Sequence, residues 1–321
     1  MSTTTTTTST TSPSGTTTVT VTTTAPPTAT TSAGVVSYDP AQDKLTFRYW
    51  NCQGRGQLSR YMLHDSGIDF FDEVVNIPEI FGGGKWPALK VQEEFAGVFK
   101  ALPVVNHQGT TLNETGACAQ YVAELCGYMP TDTMERAKVV MVCDHVYEDI
   151  MINIGYAIWN FREWERDVIG GFAGPTSGVP TKFVNLEQML AKSTSGYIVG
   201  DQLTMADFSV YMIVDLMHSL LKTSEPSGPE AFKLLVADKP KLLEHYAMMG
   251  ARPNIVKHKA SEGFKDSGRF WSGKGTFFEG TVEAGMGPSE KTELENFASK
   301  LVAAYAQAAE AEEGTPPEGD K

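Results

Sequence analysis

The stretch FRYWNCQGRGQLSRYML, residues 47–63, gathers a phenol, a thiol and a guanidinium in one short turn: Tyr49, Cys52 and Arg55. An apolar run ends at Tyr49-Trp50-Asn51 and helix-forming residues follow Arg55, so these groups lie where a strand gives way to a helix. The backbone N–H groups at such a helix start have no partner of their own and attract an anion. Taken alone, the segment is equally what an ordinary strand-to-helix turn would show, with a tyrosine packing on its own helix. That plainer reading is the better one for these residues by themselves.

Three further stretches shift the balance. In KWPALK, Trp86 and Lys90 stand one helical turn apart, so an indole N–H and an ammonium reach the same carboxylate. In ALPVV, Pro103 opens an apolar strand; a cis peptide there turns the preceding backbone toward an extended peptide ligand. In LNETGACAQYVAELCG, Glu114 and Thr115 stand at a helix N-terminus, where hydroxyl and backbone donors hold a second carboxylate. Each has its bland counterpart: Trp86 as core, Pro103 as a strand edge, Thr115 as a cap.

The elements that must position these groups follow from periodicity. Residues 44–127 alternate short strands and helices. Strands are predicted at Leu45–Trp50, Glu73–Asn76, LPVVN and TTL, the last two joined by a tight turn at His107-Gln108-Gly109. Helices are predicted at Gln57–Asp65, stopped by Gly67, and at Thr115–Cys126, closed by Gly127 in a left-handed cap. This is a small α/β unit. From Thr131 onward the pattern is helical: Val139, Val142, Val146 and Ile150 recur at helical steps, FVNLEQMLAKS forms a further helix, and LTMADFSVYMIVDLM is apolar enough to be buried in a bundle. There Thr204 and Asp207 suit a capping box and Leu203 a staple to Phe208. KPKLLEHYAMM and PNIVKHKAS each carry a proline at or near the start, as helices favour.

Composition narrows the partners. The chain has 321 residues, with 26 Lys+Arg against 39 Asp+Glu and a formal net charge of −13. That balance argues against nucleic acid or an anionic membrane surface, which need concentrated positive charge. No apolar run is long enough to cross a bilayer. The four cysteines (Cys52, Cys118, Cys126, Cys143) and six histidines set no metal-ligand spacing, so no metal or resident cofactor is expected. Reduced thiols fit a cytoplasmic protein. Residues 1–40 contain a threonine-rich tail without the features of a signal or transit peptide, and its composition predicts disorder. The acidic end AEAEEGTPPEGDK is read the same way.

Together, and in this order, the motifs resemble those of the glutathione transferase superfamily, most closely its sigma class. The resemblance runs over about residues 44–265 and rests on YWNCQGRGQLSRYML, WPALK, LPVV, ETGACAQYVAE and GYIVGDQLTMADFSVY. It implies a thioredoxin-like α/β domain (44–128) that holds glutathione, an all-α bundle (131–265) that helps hold an electrophile, and an extension (266–321). It implies detoxification chemistry and a homodimer. By position, Tyr49 would donate its hydroxyl hydrogen to the glutathione sulfur with Arg55 as supporting cation. Trp86 and Lys90 would meet the glycyl carboxylate. Leu102, before a cis Pro103, would pair with the cysteinyl backbone, and Glu114 and Thr115 would hold the γ-glutamyl end. Asp207 would serve folding rather than chemistry.

The chain departs from the sigma pattern in places. Glu114 stands where glutamine is common, Thr115 replaces serine, Ala101 replaces a longer polar residue, and FGGGK (81–85) alters the loop before Trp86. Cys52 supplies a rival, a thioltransferase forming a mixed disulfide with glutathione, although Gln53-Gly54 follow it rather than proline. A third reading is a non-catalytic structural module of the same fold. Leu294, Phe297, Leu301 and Tyr305 make a helical stripe suited to docking, and Tyr156, Trp159 and Phe161 suit either an electrophile site or core.

Overall fold

The computed structural model describes residues 4–11, 17–24, 44–75, 85–152, 178–222, 226–269, 299, 302–303 and 305–307. Residues 1–37 form a unit of their own. In it, strands β1 (Thr4–Thr11) and β2 (Thr17–Thr24) pair antiparallel from Thr4 opposite Thr24 to Thr11 opposite Thr17. Composition predicts an unfolded tail here, yet β-branched threonine suits an extended backbone. A lone two-stranded ribbon is at best marginally stable in water, so the two tendencies are close in energy.

The second unit, residues 38–321, begins with β3 (Thr46–Trp50), α1 (Gln57–Ser66) and β4 (Phe71–Val75). Two short helices follow, α2 (Trp86–Leu89) and α3 (Glu93–Ala96), then β5 (Val104–His107), β6 (Thr110–Asn113) and α4 (Thr115–Cys126). The sheet order is β4-β3-β5-β6, with β3 parallel to β4 and the other pairs antiparallel. This mixed sheet, with α1 and α4 packed together beside it, is the thioredoxin-like arrangement the sequence implied. The hairpin between β5 and β6 turns on Gln108 and Gly109, both at positive φ (50° and 71°), as a two-residue turn of this hand requires. Helices α1 and α4 end on Gly67 and Gly127 in the left-handed conformation, which glycine adopts without a Cβ penalty.

The helical lobe comprises α5 (Thr133–Val146), which runs into a π turn at Tyr147–Met151, then α6 (Val179–Lys192), α7 (Met205–Lys222), α8 (Gly228–Val236), α9 (Pro240–Gly250), α10 (Pro253–Ala260) and α11 (Glu262–Arg269). Helix α7 is its centre; Phe208, Val210, Tyr211, Ile213, Val214 and Met217 are all buried. Its start is held by Asp207, which accepts from the backbone N–H groups of Ile198 (2.9 Å) and Thr204 (2.8 Å). The Thr204 hydroxyl donates to the same carboxylate (3.0 Å), so the expected capping box forms on its Asp207 side.

Helix α1 ties the lobes together. It is buried from Gln57 to Leu63 because it packs on α4, α7 and α10. Tyr61 donates to Asp215 of α7 (2.7 Å), and Arg252, just before α10, forms a two-armed ion pair with Asp65 (2.7 Å on each arm). Of the expected C-terminal stripe, Tyr305 packs against the core together with Val302, while Leu294, Phe297 and Leu301 lie outside the described residues. So do Tyr156, Trp159, Phe161 and the 81–84 loop.

Candidate active site

Register alone brings most of the expected residues to one end of the sheet. Arg48 lies opposite Val104, and Val104 opposite Asn113. The next residues outward are therefore Tyr49-Trp50 leaving β3, Leu102-Pro103 entering β5, and Glu114-Thr115 leaving β6. The Leu102–Pro103 peptide is cis, as expected. Trp86 joins from α2, its indole edge-on to Trp50 with ring centroids 4.6 Å apart. Lys90 closes that helix, donating its N–H to the Trp86 carbonyl (2.8 Å), and its side chain is exposed.

At the start of α4 the backbone is bent into place. Glu114 sits at φ 77°, ψ 135°, where a residue with a Cβ is strained by about 1–3 kcal/mol. No side chain caps this helix, so its first N–H groups remain available to an acceptor. Thr115 is buried and Glu114 exposed at that opening.

Tyr49 is the most enclosed member. It is 5% exposed, and the turn 51–56 folds across it. A Cβ on Gly54 would stand 2.6 Å from the Tyr49 hydroxyl oxygen, and one on Gly56 would stand 2.4 Å from the ring. Two glycines are therefore what lets this turn lie on the phenol. The hydroxyl lies beside the Arg55 backbone and the Cys52 thiol. Burial holds the Tyr49 pKa well above its ordinary value, with the Cys52 and Tyr147 groups adding to the effect. The phenol is thus a neutral O–H at physiological pH, a hydrogen donor rather than a base.

Arg55 enters differently from the way its position implied. The residue is exposed, and the part of it that faces Tyr49 is its backbone. Its carbonyl accepts from the Tyr147 hydroxyl (3.0 Å), which reaches over from the π turn at the end of α5. Such turns recur at functional sites. Cys52 is buried, and desolvation pushes its thiol up to about 12, so it carries no thiolate at neutral pH.

Two supporting residues escape a reading of the sequence. Arg60 of α1 is buried and forks onto Asp72 (3.0–3.1 Å), while donating to the carbonyls of Trp50 (2.9 Å) and Tyr49 (3.4 Å). It fixes the end of β3 that carries the phenol. Arg48 does the same for α3, donating to the Phe95 carbonyl (2.5 Å) and to Glu73 (2.6 and 2.9 Å). The only sequence hint of Arg60 is a cation on the inward face of an otherwise apolar helix. Among the described residues, no cluster of His, Cys, Asp and Glu could hold a metal ion.

Comparison with known proteins bears on the same geometry. Residues 176–262 match the model of the glutathione S-transferase C-terminal domain. Curated relatives extend the match across both lobes: glutathione S-transferase P 1 of Xenopus laevis is 25% identical over 217 residues, covering 66% of this chain and 96% of its own. Glutathione S-transferase P of Bos taurus is 28% identical, covering 67% of this chain and 91% of its own. The chain is similar to glutathione S-transferases along most of their length. Glutathione S-transferase 1 of Ascaris suum, 29% identical over 53% of this chain and 77% of its own, places a nematode member in the same set. The fold agrees. The Pi-class glutathione S-transferase of Onchocerca volvulus superposes with a TM-score of 0.54 at 20% identity, covering 67% of this chain and 91% of that one. These glutathione transferase relatives span several types, so the match stands at the level of the superfamily.

Proposed function

We propose that this chain is a glutathione transferase, in which Tyr49 donates a hydrogen bond to the sulfur of bound glutathione and favours its thiolate. The observation that carries the reading is the convergence of Tyr49, Trp86, the Leu102-Pro103 backbone and the bare α4 N-terminus at one end of the sheet. Glutathione is an extended dianion with one ammonium. Lys90 and the Trp86 indole N–H suit its glycyl carboxylate, the Leu102 backbone suits its cysteinyl part, and the α4 N-terminus with Thr115 and Glu114 suits its amino-acid end. A free thiol has a pKa of about 8.5. Lowering it by roughly two units takes about 2.7 kcal/mol of preferential thiolate stabilisation. A charge-assisted hydrogen bond from the phenol is of that size. The thiolate then attacks an electrophilic carbon held beside it, and proximity supplies much of the rate.

The thioltransferase alternative needs a reactive Cys52, and its burial and raised pKa count against that. We infer sigma-class character from the residues of 47–63, and a homodimer from exposed apolar side chains such as Phe99 (66% exposed) and its neighbour Val98. A cytoplasmic, detoxifying role fits four free cysteines and an acidic surface unsuited to polyanions. No helix among the described residues is long and apolar enough to span a membrane. Retention on glutathione-agarose together with turnover of a chlorodinitrobenzene substrate tests the enzyme reading; retention without turnover would favour a non-catalytic module.

A further inference from the structure

The hydroxyl of Tyr147 reaches from the helical lobe to the turn that covers Tyr49. It donates to the Arg55 carbonyl at 3.0 Å and lies 3.9 Å from the Met212 sulfur of α7. Tyr147 is buried, and burial holds its phenol above the ordinary value, so it keeps the hydrogen it donates at physiological pH. It stands where the regular turns of α5 give way to the π turn Tyr147–Met151. The carbonyl it meets lies between Gly54 and Gly56, the two glycines that rest on the Tyr49 phenol. The turn closes with a bond from the Gln57 N–H to the Gly54 carbonyl (2.9 Å), which spans the same residue. The contact between the lobes is therefore made in the middle of the segment that encloses the phenol. Cohesion of the lobes does not depend on it, since Tyr61–Asp215 (2.7 Å) and Arg252–Asp65 (2.7 Å on each arm) already join them.

From this geometry we propose that Tyr147 is a positioning residue: by holding the Arg55 carbonyl it keeps the Gly54–Gly56 turn against Tyr49, and so keeps the phenolic hydroxyl aimed at the glutathione sulfur. The inference rests on the reading of Tyr49 given above. The two glycines can lie on the ring because they lack a Cβ, but the same lack leaves their backbone free to adopt many conformations. A turn of that composition gains from an outside contact that keeps it in one place, and the helical lobe supplies one. Without the Tyr147 donor the Arg55 carbonyl turns toward water and the turn lifts from the phenol. The Tyr49 hydroxyl then loses the alignment on which a hydrogen bond to a thiolate depends. Tyr147 acts in this only through the turn, and no covalent bond changes.

The test reads the ultraviolet absorbance of the bound glutathione thiolate across pH, and the affinity for S-methylglutathione, whose sulfur cannot ionise, by tryptophan fluorescence. The proteins are wild type, Tyr147→Phe, Tyr49→Phe and the double variant. Tyr147→Phe keeps the buried ring and removes only the hydroxyl. It should raise the thiolate pKa by about half a unit to one unit, a threefold to tenfold loss that is the worth of one neutral hydrogen bond. Its affinity for S-methylglutathione, which also shows that the variant is folded, should stay within about twofold of wild type. In the Tyr49→Phe background the same change should leave the thiolate pKa where it is, since the phenol mediates the effect. An unmoved thiolate pKa in Tyr147→Phe, a shift that persists in the double variant, or a parallel loss of S-methylglutathione affinity overturns the proposal. If Tyr49→Phe raises the thiolate pKa and Tyr147→Phe does not, only the role of Tyr147 falls. If wild type does not bind glutathione, or Tyr49→Phe leaves the thiolate pKa unmoved, the reading of Tyr49 falls and takes this proposal with it.

Discussion

Gly54 lies so near Tyr49 that a single added methyl group would stand 2.6 Å from the phenolic oxygen. Gly56 is closer still to the ring itself, at 2.4 Å from its first carbon. The two glycines therefore report on different things. At Gly54 the obstructed atom is the tip of the side chain, the part that does chemistry. At Gly56 it is the root, which cannot move without the strand.

Gly54→Ala should accordingly displace the hydroxyl and lower kcat/KM by about tenfold or more, the scale of a lost oriented hydrogen bond. Its stability cost should be modest. Gly56→Ala should cost about 1–3 kcal/mol of stability through overpacking. Urea unfolding beside steady-state kinetics separates the two; equal stability losses would contradict the distinction.

Glu114 carries strain at the mouth of the glycine-tolerant turn leading into α4, with φ at 77°. Glu114→Gly relieves it and should raise stability by up to about 1 kcal/mol, offset in part by the greater freedom of the unfolded chain. The same change removes a carboxylate placed for the ligand's ammonium, so the KM for glutathione should rise while Tm holds or climbs. A fall in both Tm and KM would show that the strain serves neither purpose.

Asp207 is fully buried and accepts from Ile198, Thr204 and the His245 ring nitrogen (3.0 Å). Asp207→Ala leaves those donors unpaired in the core. Each such group costs about 1–3 kcal/mol, so the loss should be about 3 kcal/mol or more, read from the urea midpoint. A loss below about 1 kcal/mol would mean water or a side-chain shift satisfies them.

His258 of α10 stacks on His64 of α1 with ring centroids 3.9 Å apart, and its Nε2 lies 3.2 Å from the Gln57 side-chain nitrogen. Burial, His64, Arg60 and Lys259 press its pKa down to about 3; burial lowers that of His64 too, against the pull of Asp72. An unfolded histidine titrates near 6.5, so as pH falls below that value the unfolded chain binds a proton that the native protein refuses. Stability due to this pair is thus full above about pH 6.5 and drains away toward pH 3, at up to about 1.4 kcal/mol per pH unit per proton. His258→Phe keeps the stacking and removes one titration. Its unfolding free energy should fall less steeply than that of wild type between about pH 6.5 and pH 4.5; parallel profiles would contradict the assignment.

The sequence disclosed what local chemistry controls. The turn at Gln108-Gly109, the boundaries of α4 between Glu114 and Gly127, and the reach of Asp207 back to Thr204 are all set by residues a few positions apart. Strand β4 was placed late, at Glu73–Asn76, because its start at Phe71 is fixed by parallel pairing with Thr46 rather than by its own pattern. Arg60 was silent for the same reason: its partners, Asp72 and the carbonyls of Tyr49 and Trp50, become neighbours only when α1 crosses the sheet. The Tyr147 contact with Arg55 joins residues of different lobes, and helix α8 (Gly228–Val236) was not among the helices read from the sequence. Position placed the Arg55 guanidinium at the site, but only the fold shows that its backbone is the part beside the phenol.

The central claim is that the Tyr49 hydroxyl favours the thiolate of bound glutathione, and the most direct measurement is the pH titration of that thiolate's ultraviolet absorbance on wild type and on Tyr49→Phe. The account predicts an apparent pKa about two units below the free thiol's value of about 8.5 on wild type, returning most of the way in the variant. Identical titrations for the two proteins, or a bound thiol that ionises as it does in water, would contradict it.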